Sequence, residues 1–119
     1  MATGYFTHPA CRLHDMGPGH PECPQRLTAI DDHLRAQGLD AILIPSDCPV
    51  ATLEQLRHAH DHNYVIGTLD TLQRIHDSGS QRHLDPDTVA MPGTREAALR
   101  AAGGAIAATD AVIDGRLDN

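Results

Sequence analysis

The stretch Gly17–Gly38, GPGHPECPQRLTAIDDHLRAQG, decides the fold. Its first half fixes the backbone, because Pro18, Pro21 and Pro24 restrict φ while Gly17 and Gly19 allow tight reversals. Its second half predicts a helix. Pro24 suits a first helical turn, Leu27, Ile30 and Leu34 recur at helical spacing, and Gly38 supplies the left-handed residue that ends the run. Upstream, TGYFTHP (Thr3–Pro9) reads as a short strand stopped by proline, and RLHDMGPGHPECP is too rich in glycine and proline to be anything but a loop. Downstream, the branched apolar run AILIP (Ala41–Pro45) reads as a second strand. Strand, helix and strand in this order predict a βαβ unit with a right-handed crossover, hence a parallel sheet.

Further along, Thr52 and Gln55 form a capping box for a short helix through Leu53 and Leu56, and Asp61 can cap the next, whose Val65, Leu69 and Leu72 share a face. Ser78 and Gly79 end that helix. GSQRHLDPDTVAMPG, Gly79–Gly93, is expected to be a long loop, and loops of about 15 residues inside a domain are usually functional or mobile. Thr94 can cap a final helix that places Leu99, Ala102, Ile106, Thr109 and Ile113 on one face before Gly115, and its small residues invite close packing. DGRLDN then closes the sequence where an α/β fold normally enters another strand, leaving two predicted strands for four helices. The chain reads as an unfinished α/β unit.

Its 119 residues have room for one domain, burying ~65% of the unfolded surface if it closes on itself. Aromatic residues make up 3% of the chain, so the core must rely on Leu, Ile, Val and alanines and is expected to be thin. A net charge of -7 without a single lysine argues against a nucleic-acid partner and favours the approach of cationic ligands such as amines. Three cysteines and no leader segment suggest neither a disulfide framework nor secretion, and no apolar run approaches the roughly 20 residues of a membrane span. A reducing cytoplasm is the default expectation, with no membrane partner.

Three places invite chemistry. His58, His60, Asp61 and His62 are dense in metal-ligand types, but on a helix His60 points away from the His58/His62 pair, and Ala59 stands where a helical zinc site needs its glutamate base. The plainer reading makes His58 the end of one helix and Asp61 the cap of the next. Cys11, His14, His20 and Cys23 are four ligand types zinc accepts, although their spacing and prolines leave little freedom to close a tetrahedron. A small non-enzymatic binding module holding structural zinc there is the alternative functional reading; otherwise the cysteines pack and the histidines line a loop surface. Arg26, in a first helical turn where a cation is unfavourable, either meets an anion or is simply solvated.

Taken together and in order, HDMGPGHPECPQRLTAI, ATLEQLRHAHDHNYV and LDPDTVAMPGTREAALRAAGGAIAATDAVIDG resemble the zinc-dependent deacetylases, namely class II-like histone deacetylases and bacterial acetylpolyamine amidohydrolases. The resemblance implies an α/β fold, the N-terminal fragment of the three-layer arginase/deacetylase fold, with about two parallel strands and four helices. It implies that residues 1–119 are the N-terminal part of a deacetylase domain whose catalytic C-terminal part is absent. The parent reaction is hydrolysis of acetyl-lysine or acetylpolyamine amides, with a zinc ion held by two aspartates and a histidine, paired histidines as acid and base, and usually a tyrosine on the oxyanion. None of those motifs is in this sequence, so the chain is expected to hold no cofactor, to carry no catalytic residue and to be inactive alone. What carries over is peripheral. His20, Pro21 and Glu22 match the substrate-entrance loop, and Arg26 matches the arginine of the acetate channel, which supports its anion reading. Asp85 to Thr94 falls at the family's rim loop: Gly93 stands near its substrate-holding position, a departure that leaves Asp85, Asp87 or Thr94 as substitutes. His60 and Asp61 match a helix start. Surfaces left open by truncation are expected to cause self-association.

Overall fold

β1 (Gly4–Thr7) and β2 (Ile44–Asp47) pair in parallel, with Gly4 opposite Ile44 and Thr7 opposite Asp47, and α1 (Gln25–Ala36) connects them. The computed structural model describes all residues from 1 to 119, and this βαβ unit is its organising feature. β2 begins three residues later than AILIP predicts, because Ile42 and Leu43 close a turn onto Leu39 through their amides. Pro45 then sits inside a strand. The Ile44 amide donates to Thr3 O on the β1 side, so the alternation of a strand turns Pro45 towards the open edge, where its missing N–H costs no ladder bond. On β1's other side, Gly4 N–H donates to Asn119 O (2.8 Å) and Asn119 N–H to Ala2 O (3.4 Å), the alternation of a parallel ladder.

Between β1 and α1 the expected loop begins with a 3₁₀ turn, Pro9–Leu13, capped by His8 Nδ1, which accepts from Ala10 N–H. α1 ends near Gly38 at φ +68°, as its sequence predicts, but its half-buried face is Leu27, Asp31 and Leu34, while Ile30 is 46% exposed. Asp31 replaces Ile30 on that face because it accepts from the Tyr5 hydroxyl at 2.6 Å and pairs with Arg12.

The junction between α2 (Leu53–Arg57) and α3 (His62–Ser78) follows its sequence closely. The Thr52/Gln55 box is complete in both directions, the Asp61 carboxylate accepts from Asn63 and Tyr64 N–H, and Gly79 closes α3 at φ +65°. α3 buries Val65, Leu72 and Ile75, the last two packing with Ala90.

Gly79–Gly93 is not a loop. It contains an antiparallel hairpin of β3 (Arg82–Asp85) and β4 (Thr88–Ala90), turned at Pro86–Asp87 and irregular between His83 and Asp85. The Asp85 carboxylate accepts from Asp87 N–H at 2.8 Å, an Asx turn that the D-P-D order favours.

α4 (Thr94–Ile113) departs from its predicted face. Thr94, Ala97, Leu99, Gly103, Gly104 and Ala111 are buried, whereas Thr109 is exposed and Ile113 is 76% exposed. The reason is close approach. A Cβ on Gly103 would lie 1.9 Å from Pro49 O, and one on Gly104 would lie 2.5 Å from Cys48 Sγ. The segment Cys48–Ala51 is strapped there by Ala51 N–H to Leu99 O (3.0 Å) and Arg100 Nη1 to Cys48 O (2.8 Å). Thr94 is not the cap; Gly93 occupies that position, and the Thr94 hydroxyl accepts from Met91 N–H.

Only 13 of 119 residues are buried, as a chain almost without aromatics suggests. The radius of gyration, 15.9 Å, exceeds the ~13.5 Å of a closed domain of this length, so the chain does not close around one core.

Candidate functional site

The loop from His14 to Pro24 folds against the hairpin and the start of α4, and polar contacts bind the three together. His14 Nδ1 lies 2.9 Å from Thr94 Oγ1. Two methionine sulfurs form a reciprocal pair of acceptors: Asp15 N–H donates to Met91 Sδ (3.1 Å), and Val89 N–H donates to Met16 Sδ (3.3 Å). Gly17 and Gly19 take φ of +97° and +80°, the reversals their positions require.

At the tip, His20 joins loop to hairpin. Its Nδ1 accepts from Glu22 N–H at 3.0 Å, which leaves Nε2 to carry the proton and donate to Asp87 Oδ1 at 3.3 Å. Asp87 is thus held by the His14–Pro24 loop. Asp85 turns back into its own hairpin, where the amide of Asp87, followed by Thr88, holds its carboxyl below the usual range. Gly93 is explained by packing, since a Cβ there would lie 2.3 Å from Leu13 Cβ. Pro21 and Glu22 are exposed, and Arg26 Nη1 donates to Glu22 Oε2 at 2.5 Å, one turn away. The anion that Arg26 meets in this structure is therefore Glu22.

Glu22, Arg26 and Thr94 border a groove of about 610 Å³ at the carboxyl ends of β1 and β2, between α1 and α4, with Thr7, Cys11 and Cys48 also among its walls. Open α/β sheets bind ligands at this end of their strands. Burial, with a smaller contribution from nearby Cys11, pushes the Cys48 thiol pKa up. The sequence brings His20, Glu22, Arg26, Asp87 and Thr94 to one end of the molecule. It gave no hint of the His14–Thr94 contact or of the methionine acceptors, since neither has a spacing signature.

No three histidine, cysteine, aspartate or glutamate side chains come close enough to hold a metal ion. Cys11, His14, His20 and Cys23 do not converge: His14 turns to Thr94 and His20 to Asp87, on different elements. His58 caps the end of α2 and Asp61 the start of α3, with His60 against the Tyr64 ring at 5.6 Å. The residues present do not fit a zinc ion.

A parallel βαβ layer with a groove at its strand ends defines an α/β chain. More narrowly, the histone deacetylase domain model matches residues 20–119, and the chain belongs to that family. It is 32% identical over 123 residues to a probable deacetylase of Archaeoglobus fulgidus, covering 100% of this chain and 32% of the relative. It is 31% identical over 134 residues to a histone deacetylase-like amidohydrolase of Pseudomonas aeruginosa, covering 98% of this chain and 34% of the relative. The crystal structure of the HDA15 HD domain superposes with a TM-score of 0.86 at 24% identity, covering 99% of this chain and 33% of that one, a likeness of fold. The chain therefore spans about a third of the length of the relatives it matches. No helix is long and apolar enough to cross a membrane.

Proposed function

We propose that this chain forms the substrate-entrance wall and product-anion side of a zinc-dependent deacetylase acting on acetyl-lysine or acetylpolyamine amides, and that it is inactive alone. The observation that carries the reading is the groove lined by Glu22, Arg26 and Thr94, beside which His20 and Asp87 join the loop to the hairpin. A carboxylate held at the rim suits the ammonium of a polyamine or the backbone amide of an acetyl-lysine peptide. On the groove wall, the Arg26 guanidinium suits a leaving acetate, which would take the place of Glu22 in a charge-assisted pair. Zinc supplies the polarisation of the amide carbonyl in this class of reaction. This chain's residues bind, orient and exclude.

The test is made in a full-length protein containing this segment. Arg26→Gln is expected to lower kcat/KM on an acetylated substrate by about tenfold or more, the size of a lost charge-assisted hydrogen bond. Arg74→Gln, which breaks an exposed pair with Asp70 on α3, should leave the rate unchanged. Equal rates for Arg26→Gln and the unsubstituted protein would remove Arg26 from the site.

A further inference from the structure

Three of the arginines are half-buried, and they differ in one respect. Arg12 pairs with Asp31, and Arg100 donates to Cys48 O and lies near Asp47 and Glu96. Arg95 has no carboxylate or carbonyl partner at all; its Nε is buried without an acceptor, as is that of Arg100, whose Nη1 is held by Cys48 O. It is also the second residue of α4, where a cation opposes the helix dipole unless an anion stands beside it. Arg26 occupies the equivalent position in α1 and has Glu22; Arg95 has nothing comparable.

The side chain borders a cavity of about 580 Å³ between α3 and α4, separate from the groove, whose other walls include Gln73, His76, Leu13, Val50 and Leu99. His76 Nδ1 is engaged by Pro92 O at 2.8 Å, leaving Nε2 for a ligand. The amides of Arg95 and Glu96, in the first turn of α4, also have no carbonyl acceptor. Glu96 is the one carboxylate on the wall, and Arg100 engages it at 3.5 Å.

A lone missing acceptor would be met by water. An unpaired guanidinium and an imidazole on the wall of one cavity with apolar walls call for more. We infer that this cavity binds a small organic oxyanion, a carboxylate or phosphate carried on an apolar body, with Arg95 as its principal ligand. The inference is independent of the deacetylase reading.

The test is an amide-resolved NMR titration of the purified protein with hexanoate, acetate and inorganic phosphate at constant ionic strength. Saturable shifts at Arg95 and Glu96 are expected with hexanoate or phosphate, weakened about tenfold or more in Arg95→Gln. Leu99→Ala should weaken hexanoate and spare phosphate. If Arg95→Gln does not fold, Arg95→Lys, which keeps the charge but loses the fork, should still bind more weakly. Absence of saturation with all three probes overturns the inference. Binding that is equal in the substituted protein does the same, because it means an adventitious ion only.

Discussion

α1 and α4 both line the groove, yet they are held in opposite ways. α1 buries none of its residues and is fastened by one polar cluster, in which Asp31 accepts from Tyr5 and pairs with Arg12. α4 buries six and is fastened by the absence of side chains, its two glycines letting the Cys48–Ala51 backbone lie against it. The difference teaches where rigidity lies. The wall carrying Thr94 is set by steric fit, while the wall carrying Arg26 depends on hydrogen bonds that pH and substitution can break.

The comparison breaks most severely at α4. Gly103→Ala places a methyl 1.9 Å from Pro49 O, against backbone that cannot step aside. It is expected to cost at least about 2–3 kcal/mol, the upper range for overpacking, read as a fall in the urea midpoint. A midpoint within experimental error of the unsubstituted chain would mean that the helix does not seat as described.

A smaller effect is expected at α1. The hydrogen bond to Asp31, then burial, pushes the Tyr5 pKa up to about 12, and the same bond draws the Asp31 carboxyl down, with Arg12 assisting. A raised tyrosine pKa gives stability that is fully present below the unfolded value near 10 and is lost as pH rises towards 12. A lowered aspartate pKa gives stability that is present above about 4 and is lost as pH falls through the folded value. Tyr5→Phe should abolish the alkaline loss, a change visible in thermal melts across that window. An unchanged alkaline slope would show the bond to be absent in solution.

The smallest effect lies outside both helices. Thr52→Ala removes the capping box of α2 and should cost about 1 kcal/mol, and Thr52→Ser should restore it.

What was legible in the sequence was local chemistry with a fixed spacing. Thr52 with Gln55, Asp61 before α3, and Gly38 and Gly79 after their helices all sit as their residue types require. Tertiary partners were not legible. Asp31 displaces Ile30 from the covered face of α1 because Tyr5 and Arg12 meet it there, and α4 turns its small-residue stripe inward because another backbone lies against it. The hairpin escapes a loop-versus-strand reading because its strands are four and three residues long, too short for alternation to register, although Asp85–Pro86–Asp87 is a turn signal. For the site, the motif resemblance named Glu22, Arg26 and Thr94, which line the groove. It did not reveal that His20 and Asp87 would touch, which depends on how the loop crosses the hairpin.

We propose that this chain shapes access to a deacetylase site and does no metal chemistry itself. The most direct test is turnover by the purified 119-residue chain, with zinc added, on an acetyl-lysine peptide and an acetylated polyamine. The account predicts no acetate release above the uncatalysed rate. Sustained release of more than one acetate per chain would contradict it.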